Sequence, residues 1–345
     1  MMEQVTLEKL GRTAGRVGFG CSPLGEHGWG EVDRPEMIRA IHAALDSGIN
    51  LFDVADIYGL GLAEETLGKA LAGRRQQAVI VSKFGLKFKP QRGTYYDTSP
   101  KWIETALCAS LRRLRTDVID VYLMHYWDER TAIAEVIEAL ETARAAGKIR
   151  SYGFTNANPL ALLEAAGLST PPGLSTFSLQ YNLIDRHFEG VIFRNLAANP
   201  LNFLSWGSLA EGLLSGKFTS QLMLAPNDRR RRYRNFIGAR FTENLLLIDA
   251  IGKIAQALDR NEAALALRWI LDRIPQSISL VGMKSRRNVE SALDASNWSI
   301  PADIRHQLDV LTRSRHREDL PGIQYINSAG PEFPIDAPAT SSTRA

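Results

Sequence analysis

A regular alternation constrains this chain more than any other feature: short apolar, β-branched runs separated by stretches with apolar residues at helical spacing. Strands are expected at Arg16–Gly20, Asn50–Val54, Val79–Lys83, Val118–His125, Ile149–Phe154, Ser175–Tyr181, Asn202–Trp206 and Ser277–Val281. Helices are expected at Pro35–Ser47, Pro100–Arg113, Thr131–Ala146, Pro159–Ala166, Leu245–Leu258 and Glu262–Leu271. Several open on proline, which suits a first turn whose N–H groups are unpaired anyway, and close on glycine, which tolerates the left-handed residue past the end. Strands that alternate strictly with helices pair in parallel. Eight such units fit a closed (β/α)8 TIM barrel better than an open sheet.

One α/β domain over residues 1–316 is therefore expected, with Thr6–Arg12 as a small hairpin over the barrel floor. The Pro-, Ser- and Thr-rich tail, 317–345, is expected to be poorly ordered. Of 345 residues, 45% are hydrophobic and 23% charged, which excludes a disordered or fibrous chain. Lys plus Arg (41) exceeds Asp plus Glu (38) by only three charges, too few to favour nucleic acid as a partner. Two cysteines, Cys21 and Cys108, make neither a disulfide framework nor a thiolate metal site. No apolar run approaches the ~18 residues of a membrane span, and the opening MMEQVTLEKLG lacks the apolar segment of a secretory leader. A cytoplasmic location without membrane or metal is the expectation.

Active sites of such barrels lie where the strands end. The second strand ends at Asp53 within NLFDVADIYG, and Tyr58 follows on its loop. The third ends at Lys83 in VIVSKFG and the fourth at His125 in VIDVYLMHYWD. A lysine closing an apolar run needs a carboxylate partner, such as Asp53 would supply. The ammonium is expected to lower the pKa of Tyr58 and make it a general acid near neutral pH, while His125 orients a substrate oxygen. Each residue alone would more often be an ion pair or a loop cap; it is their concurrence on consecutive strands that points to a site. The set suits proton donation to a carbonyl oxygen. No side chain supplies a hydride, so a reduced nicotinamide is required.

The segments NLFDVADIYG, SLRRLRTDVIDVYLMHYWD, YGFTNAN, LQYNLIDR and WGSLAEGLLSGKF resemble those of the aldo-keto reductase family, and the likeness runs from Gly11 to Leu311. The resemblance implies an NADPH/NADP+-dependent carbonyl reductase, with NADH as a second possible donor, acting on a small aldehyde, ketone or sugar or, in reverse, an alcohol. It makes Tyr58 the proton donor, Lys83 and Asp53 its tuning pair, and His125 the group that positions the carbonyl. It assigns Thr155 (in place of the usual serine), Asn156 and Gln180 to the nicotinamide carboxamide and Trp206 to stacking on the ring. Leu209, Gly212, Leu213, Ser215 and Lys217 fall on the pyrophosphate segment. After the last strand, LVGMKSRRNVESAL carries Gly282, Lys284, Ser285, Arg286 and Asn288 into a helix N-terminus, a natural anion site, which favours a ribose 2′-phosphate and hence NADPH. Here the chain departs from the family: Asn288 replaces a glutamine, and Ser291 and Ala292 replace a Glu/Asn pair near the adenine.

His27 and Trp29 in GEHGWG, and Trp127 beyond His125, are expected as substrate-pocket walls. Two long connections, Phe84–Ser99 and Gly207–Arg240, are expected to be functional loops at the barrel mouth. Within the second, the arginine-rich run Asp228–Arg234 reads as a solvated loop or as a clamp on cofactor phosphates. Gly59–Glu64 (GLGLAE) imitates a dinucleotide fingerprint but ends in glutamate where a small residue is needed, so it is expected to be a loop entering a helix. Two other functions stay open: a nicotinamide-binding regulatory or sensing barrel with little turnover, and a cofactor-free barrel lyase or isomerase.

Overall fold

The computed structural model describes residues 1–90 and 93–312; the expected tail, 317–345, lies outside them. The chain opens with an antiparallel hairpin, β1 (Gln4–Leu7) and β2 (Arg12–Gly15). Then follow β3 (Val17–Gly20), α1 (Arg34–Asp46), β4 (Leu51–Asp53), α2 (Leu62–Ala70), β5 (Val79–Phe84), and a second hairpin of β6 (Leu86–Lys89) and β7 (Gly93–Tyr96). Next come α3 (Pro100–Leu114), β8 (Ile119–Met124), α4 (Ile133–Ala145), β9 (Ile149–Thr155), α5 (Pro159–Ala165), β10 (Leu174–Gln180) and α6 (Glu189–Ala198). The order ends with β11 (Asn202–Trp206), α7 (Gly238–Ala257), α8 (Glu262–Arg273), β12 (Ser277–Gly282), α9 (Arg286–Leu293) and α10 (Ala302–Leu311). Strands β3, β4, β5, β8, β9, β10, β11 and β12 close into a parallel barrel, with β12 pairing back to β3. These are the eight expected strands, each end within one residue.

Strand alternation divides the side chains between two cores. Leu51, Val79, Val81, Val121, Leu123, Leu204, Ile278 and Leu280 fill the barrel. Phe52, Ile80, Tyr122, Tyr152, Phe177 and Phe203 point outward into the layer shared with the helices. Val5, Leu7 and Ala14 of the first hairpin pack on the barrel interior and close its floor. Asp120 on β8 fixes that floor: fully buried, it accepts from Arg12 of the hairpin at 2.8 Å, Arg75 at 2.9 Å and Arg150 at 3.1 Å. Three guanidinium groups on one carboxylate satisfy a charge that burial alone would make costly.

The proline-led helices are capped as local chemistry requires. Asp33 accepts from Glu36 N ahead of α1, Ser99 from Trp102 N ahead of α3, and Asn158 from Leu160 N ahead of α5. Elsewhere the helices differ from the expectation. α4 starts at Ile133 rather than Thr131, because Thr131 is held in a turn by Asp128. α7 begins at Gly238, well before Leu245, since its first turns carry few apolar residues. Helices α6 and α10 were not among the expected ones; a glycine near the start of α6 and its β-branched Val191 and Ile192 hide the helical signal. The connection after β5 contains the antiparallel β6–β7 pair rather than irregular loop alone.

Among the described residues no helix is long and apolar enough to cross a membrane, and no group of three or more His, Cys, Asp or Glu side chains could hold a metal ion. One close approach tests the barrel directly. The β9–β10 register shifts beside Gly153, and a Cβ there would lie 1.9 Å from the Thr176 carbonyl oxygen. Gly153→Ala is therefore expected to cost ~1–3 kcal/mol, the usual range for overpacking, read as a lower urea midpoint at unchanged slope; an unmoved midpoint would contradict this backbone packing.

Candidate active site

The inward period-two rows of β5 and β8 change from apolar to polar at the mouth. β5 runs Val79, Val81, Lys83, and β8 runs Val121, Leu123 and then His125, just past its end. β4 contributes Asp53 after Leu51. Tyr58 arrives on a tight turn, Tyr58–Gly61, in which Gly59 (φ 60°), Leu60 (φ 53°) and Gly61 (φ 102°) are all left-handed. That turn nests against Gly25 of the loop after β3. A Cβ on Gly59 would sit 2.5 Å from Gly25 O, and one on Gly25 would sit 2.6 Å from Gly59 N. Two facing glycines thus set the depth of Tyr58. The GLGLAE segment is this turn followed by the start of α2, as expected.

Lys83 Nζ donates to Asp53 Oδ1 at 2.7 Å and to Val54 O at 3.0 Å, contacts the Tyr58 hydroxyl, and lies 5.2 Å from the Tyr58 ring centroid. His125 meets Tyr58 edge-on with ring centroids 6.1 Å apart, and stacks on Tyr126 at 5.2 Å. Burial lowers the Lys83 ammonium, but Asp53 and then Tyr58 more than offset it and leave its pKa above the ordinary value. Burial pushes the Asp53 carboxyl up, against the pull of Lys83. The expected depression of Tyr58 is not what the structure shows: burial raises the phenol, and Lys83 only partly counters it. His125 is held well below its ordinary pKa by burial, then by Lys83 and Arg229, so it is a neutral imidazole at physiological pH.

These four residues line a cavity of about 410 Å³ that continues toward β11, β12 and α9. His27, Trp29, Thr155, Asn156, Trp206, Leu209, Gly212, Ser215, Lys217, Gly282, Lys284 and Asn288 lie on the same wall. Asn156 adopts φ 58° and donates from Nδ2 to His125 O at 3.2 Å, tying two functional loops together. The indole N–H of Trp206 is buried and has no partner among the described residues. Lys217 and Lys284 are each lowered by burial and then by neighbouring cations, Arg230 for both and Lys284 in addition for Lys217. Crowded like charges of this kind mark an anion-binding cleft.

Other expected residues lie off the wall. Trp127 packs on the outer core and donates to Thr131 O, and Tyr126 lines the cavity in its place. Leu213 is buried in the core and Gln180 stands against Gly207. Ser285 caps α9, while Arg286 N donates to Glu36 Oε1 at 3.1 Å. A carboxylate therefore already takes one N–H at the helix start assigned to a phosphate. Glu211, Arg230 and Tyr233 line the cavity too. Glu211 carried no sequence signal, whereas the arginines were visible as a run without a defined target.

A parallel barrel whose mouth joins a Tyr–Lys–Asp–His cluster to a cationic cleft is an arrangement suited to an enzyme that pairs proton delivery with an anionic cofactor. The aldo/keto reductase family profile matches residues 16–312. The chain is 30% identical to aldo-keto reductase YhdN of Bacillus subtilis (strain 168) over 335 residues, 96% of this chain and 97% of that protein. It resembles the glycerol dehydrogenase AKR11B4 from Gluconobacter oxydans with a TM-score of 0.82 and 30% identity, covering 94% of this chain and 99% of that one. An aldo-keto reductase from Klebsiella pneumoniae, solved in complex with NADPH, matches with a TM-score of 0.71 and 25% identity over 92% and 98% of the two chains. The protein belongs to the aldo/keto reductase family.

The neutral imidazole has a measurable consequence. A histidine whose pKa is lower folded than unfolded is protonated first in the unfolded chain, so its contribution is intact above pH ~6.5 and is lost below it at up to ~1.4 kcal/mol per pH unit. Urea unfolding at pH 7.5, 6.5 and 5.5 should show the wild type losing more stability on acidification than His125→Gln. Parallel losses would mean that His125 is charged in the folded protein.

Proposed function

We propose that the protein is an NADP(H)-dependent carbonyl reductase acting on a small aldehyde or ketone, sugars included, with Tyr58 as the proton donor. One observation carries this reading: the Tyr58–Lys83–His125 cluster and the Lys217–Arg230–Lys284 cluster open onto one cavity. The NADPH complex of the Klebsiella relative supports the choice of cofactor, and the residues present fit it. The Trp206 indole offers a flat face on the cavity wall that Thr155 and Asn156 also line. Gly207, Gly212 and Gly216, at φ 63°, 92° and 70°, turn the backbone of the following segment close to the cleft, where phosphate groups would meet Lys217 and Arg230. Lys284 would face the 2′-phosphate. When bound, the reduced nicotinamide supplies the hydride that no side chain can.

The protein's own part is to hold the carbonyl and deliver the proton. His125, uncharged, donates a single hydrogen bond to the carbonyl oxygen without competing to protonate it. Tyr58 remains fully protonated at neutral pH because burial holds its pKa up, so the acid is always loaded. As the oxygen gains negative charge it takes the phenolic proton, and the tyrosinate left behind is stabilised by the ammonium of Lys83. Asp53 keeps that ammonium in place and charged.

Tyr58→Phe should lower kcat by ~10²–10⁴-fold, the range of general acid catalysis, with the NADPH Kd from fluorescence nearly unchanged; a kcat within a few-fold of wild type would reject Tyr58 as donor. Cofactor binding by the wild type without turnover of any aldehyde, ketone or sugar would favour the sensing reading instead. Lys284→Ala should weaken NADPH more than NADH. Because Lys284 Nζ also donates to the backbone carbonyls of Trp29 and Glu31, equal losses would restrict it to holding that loop.

A further inference from the structure

The arginine-rich segment after β11 is not uniform. Arg230 is clamped by Asp228, with Nε on Oδ1 at 2.9 Å and Nη2 on Oδ2 at 2.5 Å. Arg234 reaches Asp185 at 3.2 Å. Arg229 differs: it is half-buried on the cavity wall, and among the described residues no carboxylate lies within ion-pair distance of it. Its position is nevertheless fixed. Its N–H donates to Gly28 O at 3.0 Å, and its stem packs over Gly28, where an added Cβ would meet it at 3.3 Å. The guanidinium lies 5.3 Å from the centroid of the Trp29 ring.

The two neighbouring arginines serve opposite ends of the cavity. The charge of Arg230 bears on Lys217 and Lys284, where the cofactor phosphates are proposed to sit. The charge of Arg229 bears on Tyr58 and His125, where the substrate carbonyl is proposed to sit. A half-buried guanidinium without a counter-ion is unfavourable, and its planar fork matches a carboxylate in two-point contact. Glu211, on the same wall, does not neutralise it. Burial and then Asp185 raise that carboxyl to about 8, against the pull of Arg229, Arg234 and Arg230, so it is largely uncharged at pH 7.

We propose that Arg229 is a specificity-determining residue that binds a carboxylate on the substrate, making oxo acids, carbonyl compounds that also carry a carboxylate, the preferred substrate class. The assignment rests on the carbonyl-reductase reading above and narrows it.

The test compares 4-oxobutanoate with butanal, a neutral aldehyde of equal length, and glyceraldehyde 3-phosphate with glyceraldehyde, all with NADPH. The wild type should favour 4-oxobutanoate over butanal in kcat/KM by about tenfold or more. Arg229→Ala should cut that ratio by ~10–100-fold, the span expected for a charge-assisted hydrogen bond, chiefly through KM; Arg229→Lys should retain part of it. No preference in the wild type, or an unchanged ratio in Arg229→Ala, overturns the proposal. So does an equal loss on both aldehydes together with a weaker NADPH Kd, which would give Arg229 to the cofactor. A preference for the phosphorylated aldehyde without one for 4-oxobutanoate overturns the carboxylate assignment. Turnover of butanal with no acid preference defeats this proposal alone, whereas no turnover of any carbonyl defeats the reductase reading and this one with it.

Discussion

The buried ion pair between Lys83 and Asp53 is the constraint on which the barrel mouth depends. An ammonium at the end of an apolar strand would cost several kcal/mol if left unpaired. The 2.7 Å bond to Asp53 and the 3.0 Å bond to Val54 O compensate for that. Once satisfied, the cation is a fixed charge in a poorly solvated place, where its influence on neighbours is large. It pulls on the Tyr58 phenol and opposes protonation of His125. The apolar layer beneath, from Leu51 to Leu280, keeps water away from the pair's lower side.

The cavity is electrically asymmetric along its length, and its loops are organised around that asymmetry. At one end sit the Tyr58 phenol and the neutral His125 imidazole; at the other lie Lys217, Lys284 and Arg230, the last paired with Asp228. The loop after β3 bridges them. Trp29 O accepts from Lys284, and Gly28 O accepts from Arg229 N. The loops after β3, β11 and β12 are thus held to one another through backbone carbonyls, which makes the mouth a joint product of three connections.

Strands were easier to read than helices, for a physical reason. A barrel strand is apolar on both faces, so runs such as VIVSK and VIDVYLMH stand out, and a period of two then puts Lys83 and His125 inward without further information. α6 and α10 mix glycine, β-branched or charged residues into short helices whose stability comes from packing on the barrel, and local pattern carries that poorly. The gathering of Asp53, Tyr58, Lys83 and His125 was legible because they lie on regular strands and the turn beside them. Trp127 was misplaced and Tyr126 missed because the chain leaves β8 just there and side-chain direction no longer follows from alternation. The place of Glu211 and the different surroundings of Arg229 and Arg230 depend on contacts between loops far apart in sequence.

The pKa of Tyr58 shows most clearly what a chain of residue types leaves out. Proximity to an ammonium argues for a depressed value; the folded site raises it, because desolvation of the phenolate outweighs one favourable charge. A raised pKa is compatible with the proton-donor role proposed for Tyr58. What accelerates a proton transfer is stabilisation that appears as the reaction proceeds, and Lys83 interacts far more strongly with a tyrosinate than with a phenol. The same ammonium contributes little before the carbonyl oxygen begins to draw the proton and most once it has it, without needing to reorient, because Asp53 already fixes it. Under that proposal the site holds its proton securely in the absence of substrate and gives it up only to an oxygen that is gaining charge.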